Sequence, residues 1–300
     1  MTARPESHAL PAVAGDALES LYEHRLLSTH QIHRMHTPKS GLRWTRTILA
    51  GLRRHGLVDF VRVADGDGSV YFLTSRGAHT VELISTRTTA CRKLITPDQA
   101  AGPLRAHTLA VNETGIAFMQ AARQQGDEFG ALAWKHEIAH PTGARKLLIA
   151  DALLTYLQYV AEGEFLFHYR LLELDRATLP VEKLAAKLAS YTRLYRYTTA
   201  TQKEPSWRAR YEVFPDVICV LAGDNTTNAL ERRLQSVLAL CSEDRYLQQT
   251  PEVGVSICLL DDLSEQGPFA AIWRRPGIEQ PLGWLATPPD QQTHYRRRQK

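Results

Sequence analysis

The chain has 300 residues, 44% of them hydrophobic and 23% charged, values typical of a folded soluble protein long enough for two domains. Its four cysteines show neither Cys-x-x-Cys nor Cys/His spacing, which argues against a cysteine-ligated metal site. No secretory segment follows Met1 and no apolar run could span a bilayer, so the sequence predicts a cytoplasmic protein. The net charge of +4 divides into +4 on residues 1–100, −4 on residues 101–295 and +4 on residues 296–300, which favours contact with a polyanion at both ends.

The first predicted domain covers residues 15–86 and contains helices, a hairpin and a closing helix. Asp16 indicates the start of the first helix, and Ser28 or Thr29 caps the second. The remaining predicted segments are a second helix at 31–36, a third at 42–55, strands at 57–63 and 70–73 around a turn at 65–68, and a fourth helix from 74 to about 84.

This order is typical of a winged helix-turn-helix, whose third helix enters the major groove of double-stranded DNA. The third helix carries arginines and a threonine on its outward positions. Predicted to face bases are Arg43, Arg46 and Thr47, and predicted to face phosphates are Arg53, Arg54 and Arg62. The alternative is a winged helix used for dimerisation or protein contact, under which the chain would form a homodimer or bind another protein.

A linker is predicted at residues 87–104, a second domain at 105–290 and a basic tail at 291–300. The second domain has the predicted order helix, three strands, helix, strand, helix, strand. Its later strands are fully apolar, which predicts a mixed sheet covered by helices on both faces, in the α+β or α/β class.

Carboxylates lie at one end of the central hairpin of this second domain. Residues 149–154 and 165–176 are strand-like, and residues 161–164 between them have turn composition. The hairpin brings Asp151 near Glu173 and Asp175, which share one face of their strand. Oxygen ligands of this kind suit Mg²⁺ or Mn²⁺, and the alternative is a set of solvated strand ends.

The order of elements in the second domain resembles the core of the PD-(D/E)xK restriction-endonuclease-like nucleases. Over roughly residues 18–222 the chain also resembles the replication-relaxation family, named for plasmid replication and plasmid DNA relaxation. The segments that carry this second resemblance are YEHRLLSTHQ at 22–31, HTLAVNE at 107–113, Trp134 and Glu137, and LELDRAT at 172–178 followed by Lys187 and Tyr191.

The nuclease resemblance implies that Glu113, Asp151 and Glu173 are catalytic and bind the metal. The sequence departs from the motif at Asp175, where a lysine is expected, so Asp175 becomes a fourth candidate ligand. Lys187 on the following helix is the candidate for the missing lysine. Tyr191 is interpreted as aromatic packing against the sheet, with a DNA-nicking nucleophile as the alternative.

The resemblance and the residues together predict a DNA-binding protein of a mobile element or plasmid. It would nick or process DNA by metal-dependent phosphodiester hydrolysis in replication, relaxation or transfer. The alternative is a non-catalytic replication initiator or transcriptional regulator that binds DNA through the winged helix and a degenerate nuclease fold. The substitution of Asp175 for lysine favours that alternative.

Overall fold

The computed structural model describes residues 10–62, 68–84, 94–143, 145–199 and 204–285. The chain divides into two compact units, Met1–Asn112 and Glu113–Lys300, and each combines helices with a sheet. Most of the predicted wing turn, part of the predicted linker and the predicted basic tail lie outside the described residues.

The first unit is built from short helices around a small sheet. Its described elements are α1 (Ala12–His24), β1 (Leu27–Ser28), α2 (Thr29–His36), α3 (Leu42–Arg54), β2 (Val58–Arg62), β3 (Ser69–Leu73), α4 (Ser75–Ile84), α5 (Pro97–Ala101) and the first turns of α6 (Pro103–Gln125). The predicted start of the first helix at Asp16 is wrong, because the helix begins one turn earlier, where Ala14 is buried.

A hydrogen-bonded network fixes the turn between α2 and α3. Ser28 caps α2 in a reciprocal pair with Gln31, which confirms one of the two predicted caps. His33 Nδ1 lies 3.1 Å from Thr37 Oγ1 and 3.0 Å from Thr45 Oγ1, and the two hydroxyls lie 2.6 Å apart. These contacts join the end of α2, the turn and the buried side of α3, so they fix the direction in which α3 leaves the turn.

The small sheet has the order β1-β3-β2, with both pairings antiparallel. The β2–β3 hairpin was predicted, whereas β1 was not, because two residues make no recognisable pattern. Gly77 in α4 allows this helix to approach the sheet: a Cβ there would lie 1.9 Å from the carbonyl oxygen of Leu57.

Helix α6 contributes to both units. Near its start, Asn112 Nδ2 donates to the carbonyl oxygen of Leu26 over 2.7 Å, and Gln31 Nε2 donates to that of Leu109 over 2.8 Å. The division between units therefore comes at Asn112, inside α6, whereas the sequence places the start of the second domain at residue 105. Part of the predicted linker is helical, as α5 and the start of α6.

The second unit contains a mixed sheet of order β10-β9-β8-β7-β6-β5-β4. Strands β6, β7 and β8 are parallel and the other pairings are antiparallel. The strands are β4 (Trp134–Gly143), β5 (Lys146–Ala161), β6 (Glu164–Asp175), β7 (Asp216–Leu221), β8 (Val255–Leu259), β9 (Trp273–Arg275) and β10 (Ile278–Leu282). The mixed sheet confirms the predicted class, and β9 and β10 are additions to it.

Helices cover the sheet. They are α7 (Val181–Ala189), α8 (Tyr191–Arg196), α9 (Thr227–Glu243), α10 (Arg245–Gln248) and α11 (Leu260–Gln266), with a 3₁₀ helix at Ser206–Ala209. Leu188 of α7 and Leu234 of α9 pack with Cys219 of β7 in one core. The ring of Phe118 on α6 packs against Phe129, which stacks on Trp134. The ring centres of Phe118 and Trp284 lie 5.1 Å apart. The sheet thus holds the end of β6 beneath α7, α8 and α9.

Candidate functional site

Asp151 and Glu173 lie side by side on neighbouring strands. Ala152 on β5 pairs with Leu172 on β6, so the next position sets Asp151 opposite Glu173. The amide of Leu174 donates to Asp151 Oδ2 over 2.7 Å and fixes this carboxylate against β6. Glu173 is 1% exposed, while the side chain of Asp151 is 20% exposed. The predicted approach of these two carboxylates is observed.

Lys187 reaches the same two carboxylates from α7. Its Nζ contacts Glu173 Oε2 and lies 3.8 Å from Asp151 Oδ1. Leu184 and Leu188 are buried on the same helix, so α7 turns one side to the core and directs Lys187 along its edge. The structure therefore brings the lysine chosen from the sequence to the acidic pair.

Tyr191 completes the cluster from the first turn of α8. Its hydroxyl donates to Glu173 Oε1, so each oxygen of Glu173 has a partner. Tyr191 is fully buried and belongs to the core beside α7, as the packing interpretation predicts. No pattern in the sequence indicates its hydrogen bond to Glu173.

Burial dominates the electrostatics of Glu173. Desolvation, followed by the negative charge of Asp151, raises the pKa of Glu173 to about 8, although Lys187 and Tyr191 act in the opposite direction. Burial opposes charge on Lys187, but the carboxylates of Glu173 and Asp151 outweigh it and raise the pKa of Lys187. Burial and Glu173 raise the pKa of Tyr191, which stays a neutral donor. Glu173 can therefore gain or lose a proton near neutral pH.

Asp175 forms a separate ion pair. Arg233 on α9 donates to it through Nε over 2.5 Å and through Nη2 over 3.1 Å, and Nη2 also donates to the carbonyl oxygen of Leu179 over 2.7 Å. Both side chains are largely buried. The arginine therefore uses both carboxylate oxygens of Asp175, the residue found where the nuclease motif has lysine.

Glu113 is half-buried on α6. Among the described residues, no three His, Cys, Asp or Glu side chains are grouped so that they could hold a metal ion. A metal-binding role for Glu113, Asp151, Glu173 and Asp175 stays a prediction.

Glu137, which lies on β4 beside Asp151, has an unusual backbone conformation. Its φ is 54°, in the left-handed region, which is uncommon outside glycine. The β4–β5 pairing runs from His136↔Ala152 to Ile138↔Ala150, so Glu137 lies opposite Asp151. Such strain is frequent at functional sites, and the sequence contains no signal for it.

The arginines predicted to contact DNA form a second candidate site, which we call the α3 surface. It comprises Arg43, Arg46, Thr47, Arg53 and Arg54 of α3 and Arg62 of β2, all exposed. The helix contains no acidic residue and buries Ile48, Leu49 and Leu52 on its other side. Thr47 Oγ1 donates to the carbonyl oxygen of Arg43 over 3.0 Å, and the guanidinium of Arg53 lies 4.6 Å from the Phe60 ring centre. Trp44, 45% exposed, lies beside them on α3, although it is not among the predicted DNA contacts.

None of the helices in the described part of the chain combines the length and the apolarity needed to cross a membrane.

The sequence model of a family described as Replication-relaxation matches residues 18–207, more than half of the chain. No curated protein matches. One solved structure, "Structure of Lactococcus lactis ZitR, C30AH42A mutant", is 15% identical over 28% of this chain and 57% of that chain, with a TM-score of 0.22. A similarity this low carries no argument about fold or function.

Proposed function

Because the chain belongs to the replication-relaxation family, we propose that it binds double-stranded DNA through a winged helix-turn-helix in its first unit. The family itself implies a role in DNA replication or DNA processing. The observation that carries the proposal is the α3 surface, an exposed helix face with arginines and no acidic side chain.

The start of α3 suits base recognition. Arg43 and Arg46 are three residues apart, so they are neighbours on the helix surface. In helix-turn-helix proteins the first residues of the recognition helix contact base edges, and arginine donates two hydrogen bonds to guanine. The network of His33, Thr37 and Thr45 supports this role because it holds α3 in one orientation before DNA arrives.

The end of α3 and the β2 strand suit phosphates. Arg53, Arg54 and Arg62 are exposed, and Arg53 lies over Phe60 of β2. A stacked guanidinium loses little side-chain freedom when it pairs with a phosphate. These arginines would supply affinity without sequence preference.

Fluorescence anisotropy with a labelled duplex that the native protein selects from a random-sequence pool tests the proposal. The double variant Arg43→Ala, Arg46→Ala should bind at least tenfold more weakly than the native protein, since each lost arginine contact costs about 1–3 kcal/mol. Arg76→Ala is the matched control, because Arg76 is exposed on α4 of the same unit. Native affinity in the double variant would exclude the start of α3 from the interface.

A second function, hydrolysis of a DNA phosphodiester, is favoured by the convergence of Asp151, Glu173 and Lys187 at the end of β6. Two carboxylates and a lysine are what the resemblance to PD-(D/E)xK nucleases requires. The lysine comes from α7 instead of β6, and Asp175 is held by Arg233.

The donor set fits Mg²⁺ or Mn²⁺ only in part. Proteins commonly bind Mg²⁺ through one or two carboxylates, with water and phosphate oxygens as the other ligands, so Asp151 and Glu173 would suffice. The ammonium of Lys187 already contacts Glu173, so a cation would compete with it. When bound, such a cation would supply a more acidic water and neutralise charge on the phosphate.

Each residue of the cluster has a role that follows from its contacts. Asp151 is held in place by the Leu174 amide and is the more accessible carboxylate. Tyr191 orients Glu173, whose raised pKa lets it hold a proton near neutral pH. Lys187, whose side chain is 37% exposed, can turn from Glu173 towards a phosphate and stabilise its negative charge.

Cleavage of supercoiled plasmid in the presence of Mn²⁺ separates the catalytic from the non-catalytic hypothesis. If the cluster is catalytic, Lys187→Met should abolish nicking and leave duplex affinity unchanged, because the α3 surface is intact. Lys183→Met is the control, since Lys183 is exposed one turn earlier on α7. Plasmid that stays intact with the native protein would support a DNA-binding protein without this activity.

A further inference from the structure

A cavity of about 410 Å³ lies in the second unit at the start of the parallel strands. The ends of α9 and α10, the segment before β8 and the β9–β10 turn line it. Its walls include the apolar side chains of Cys241, Leu247, Val253, Val255 and Ile278, and its polar lining includes Asp216 and Arg275. The volume falls in the range of small-molecule sites.

The cavity is separate from the carboxylate cluster. Asp216 begins β7 and pairs with Arg170 on β6, three residues before Glu173. Three residues of strand span about 10 Å, and none of Asp151, Glu173 and Lys187 lines the cavity, so the two sites are distinct.

The charge of Asp216 is already neutralised. Arg170 Nη2 lies 3.3 Å from Asp216 Oδ2, and the guanidinium of Arg170 lies 5.1 Å from the Trp284 ring centre. The backbone is closely fitted here too: a Cβ at Gly254 would lie 2.6 Å from Asp216 Oδ1. Asp216 and Arg170 therefore form a buried pair at the edge of the cavity.

Arg275 is the charge without a counter-charge. Its Nε donates to the neutral hydroxyl of Ser256 over 3.1 Å, which orients the guanidinium, and no described carboxylate lies within ion-pair distance of it. The next residue, Arg274, is instead paired with Glu231 at 3.5 Å. A half-buried guanidinium with no anion, in an apolar cavity, is the complement of an apolar molecule that carries one negative charge.

We propose that this cavity binds a small apolar organic anion, such as an aromatic or aliphatic carboxylate, with Arg275 as its charge partner. The apolar walls take the hydrocarbon part, and the Nη groups of Arg275 donate to the acid group. The inference does not depend on DNA binding or on hydrolysis, because it uses neither the α3 surface nor the carboxylate cluster.

The test titrates the full-length protein with anilinonaphthalene sulfonate, a fluorescent apolar monoanion. The native protein should bind it at one saturable site, and Arg275→Met should weaken that binding about tenfold or more, because the guanidinium and its charge-assisted hydrogen bond are lost while most of the aliphatic part of the side chain is kept. Arg274→Met should bind as the native protein does. Equal affinity in Arg275→Met, or an equal loss in Arg274→Met, would overturn the proposal.

Competition on the native protein decides the sign of the charge without any variant. Decanoate should displace the dye, and decylamine, a cation of the same length, should not. Displacement by both to the same extent would show that only the apolar walls matter and would overturn the role of Arg275.

Discussion

The ammonium group of Lys187 on α7 contacts the carboxylate of Glu173 on β6, which is almost wholly buried. A buried carboxylate remains charged only if its partners outweigh the loss of hydration. At Glu173 they do not, since burial and Asp151 raise the pKa to about 8. The cluster is therefore held by Lys187 and Tyr191 around a carboxylate that is close to its own titration point.

Glu173 should make the protein less stable as the pH rises towards 8. The folded state holds the Glu173 proton up to a pH of about 8, whereas the unfolded chain releases it near 4.5. Folding therefore takes up a proton between these values, and its contribution to stability is lost as the pH rises, by at most about 1.4 kcal/mol per pH unit. Urea unfolding between a pH of about 6.5 and about 8 measures this slope.

The matched variant is Glu173→Gln, which keeps the shape and removes the titration, so its stability should vary less over this range. Two histidines set the lower limit of the pH range in which this slope reports on Glu173. Burial lowers the pKa of His140 to about 4 and that of His168 to about 3, so both destabilise the fold when the unfolded chain takes up protons below a pH of about 6.5. The same slope in both proteins would show that Glu173 is not the titrating group.

Asp175→Asn should destabilise the protein by about 3–5 kcal/mol, because Arg233 is left buried without its counter-charge. Thermal unfolding combined with a double-mutant cycle measures the coupling: Arg233→Met should be nearly as costly alone, and the pair together should cost less than the sum. Additive losses would mean that Asp175 and Arg233 do not stabilise each other. A silent Asp175→Asn would contradict the ion pair itself.

Asp175 also shows where prediction from the sequence ends. The alternation of side chains along β6 correctly predicts that Glu173 and Asp175 share one face, and the family resemblance selects Lys187 on the following helix. Nothing local, however, assigns Lys187 to Glu173 and Arg233 to Asp175. Arg233 lies 58 residues from Asp175 along the chain, so its partner depends on how α9 packs over the sheet.

The first unit was more predictable because its signals are local. Ser28 and Gln31 form a capping box visible in the sequence, and the apolar spacing from Leu42 marks α3. Helix α6 was harder, since its apolar residues serve the core of the first unit and that of the second. A hydrophobic pattern indicates which side of a helix is buried, but it does not indicate which core buries it.

Replacing Arg53 and Arg54 with glutamine should weaken binding to every duplex to a similar degree. Each lost phosphate contact should lower the dependence of log affinity on log salt by about 0.9, so the double variant should lose roughly two units of slope. Anisotropy titrations over a series of salt concentrations give this value. Arg76→Gln on α4 should retain the native slope, and an unchanged slope in the double variant would remove the end of α3 from the interface.

Divalent cations provide the sharpest test of the acidic pair. If Asp151 and Glu173 bind Mg²⁺ or Mn²⁺ in the folded state alone, a hundredfold excess over Kd adds about 2.7 kcal/mol, which is a rise in Tm of roughly 5–10 °C for a unit of this size. Asp151→Asn should abolish the rise, because it removes the more accessible carboxylate. Lys187→Met should keep it, since the ammonium competes with the cation for Glu173.

Asp175→Asn should also keep the rise in Tm, because Arg233 uses both oxygens of that carboxylate. Glu113→Gln decides whether α6 supplies a further ligand. If neither cation changes the Tm of the native protein, metal-dependent hydrolysis is excluded, and DNA binding through α3 remains the proposed function.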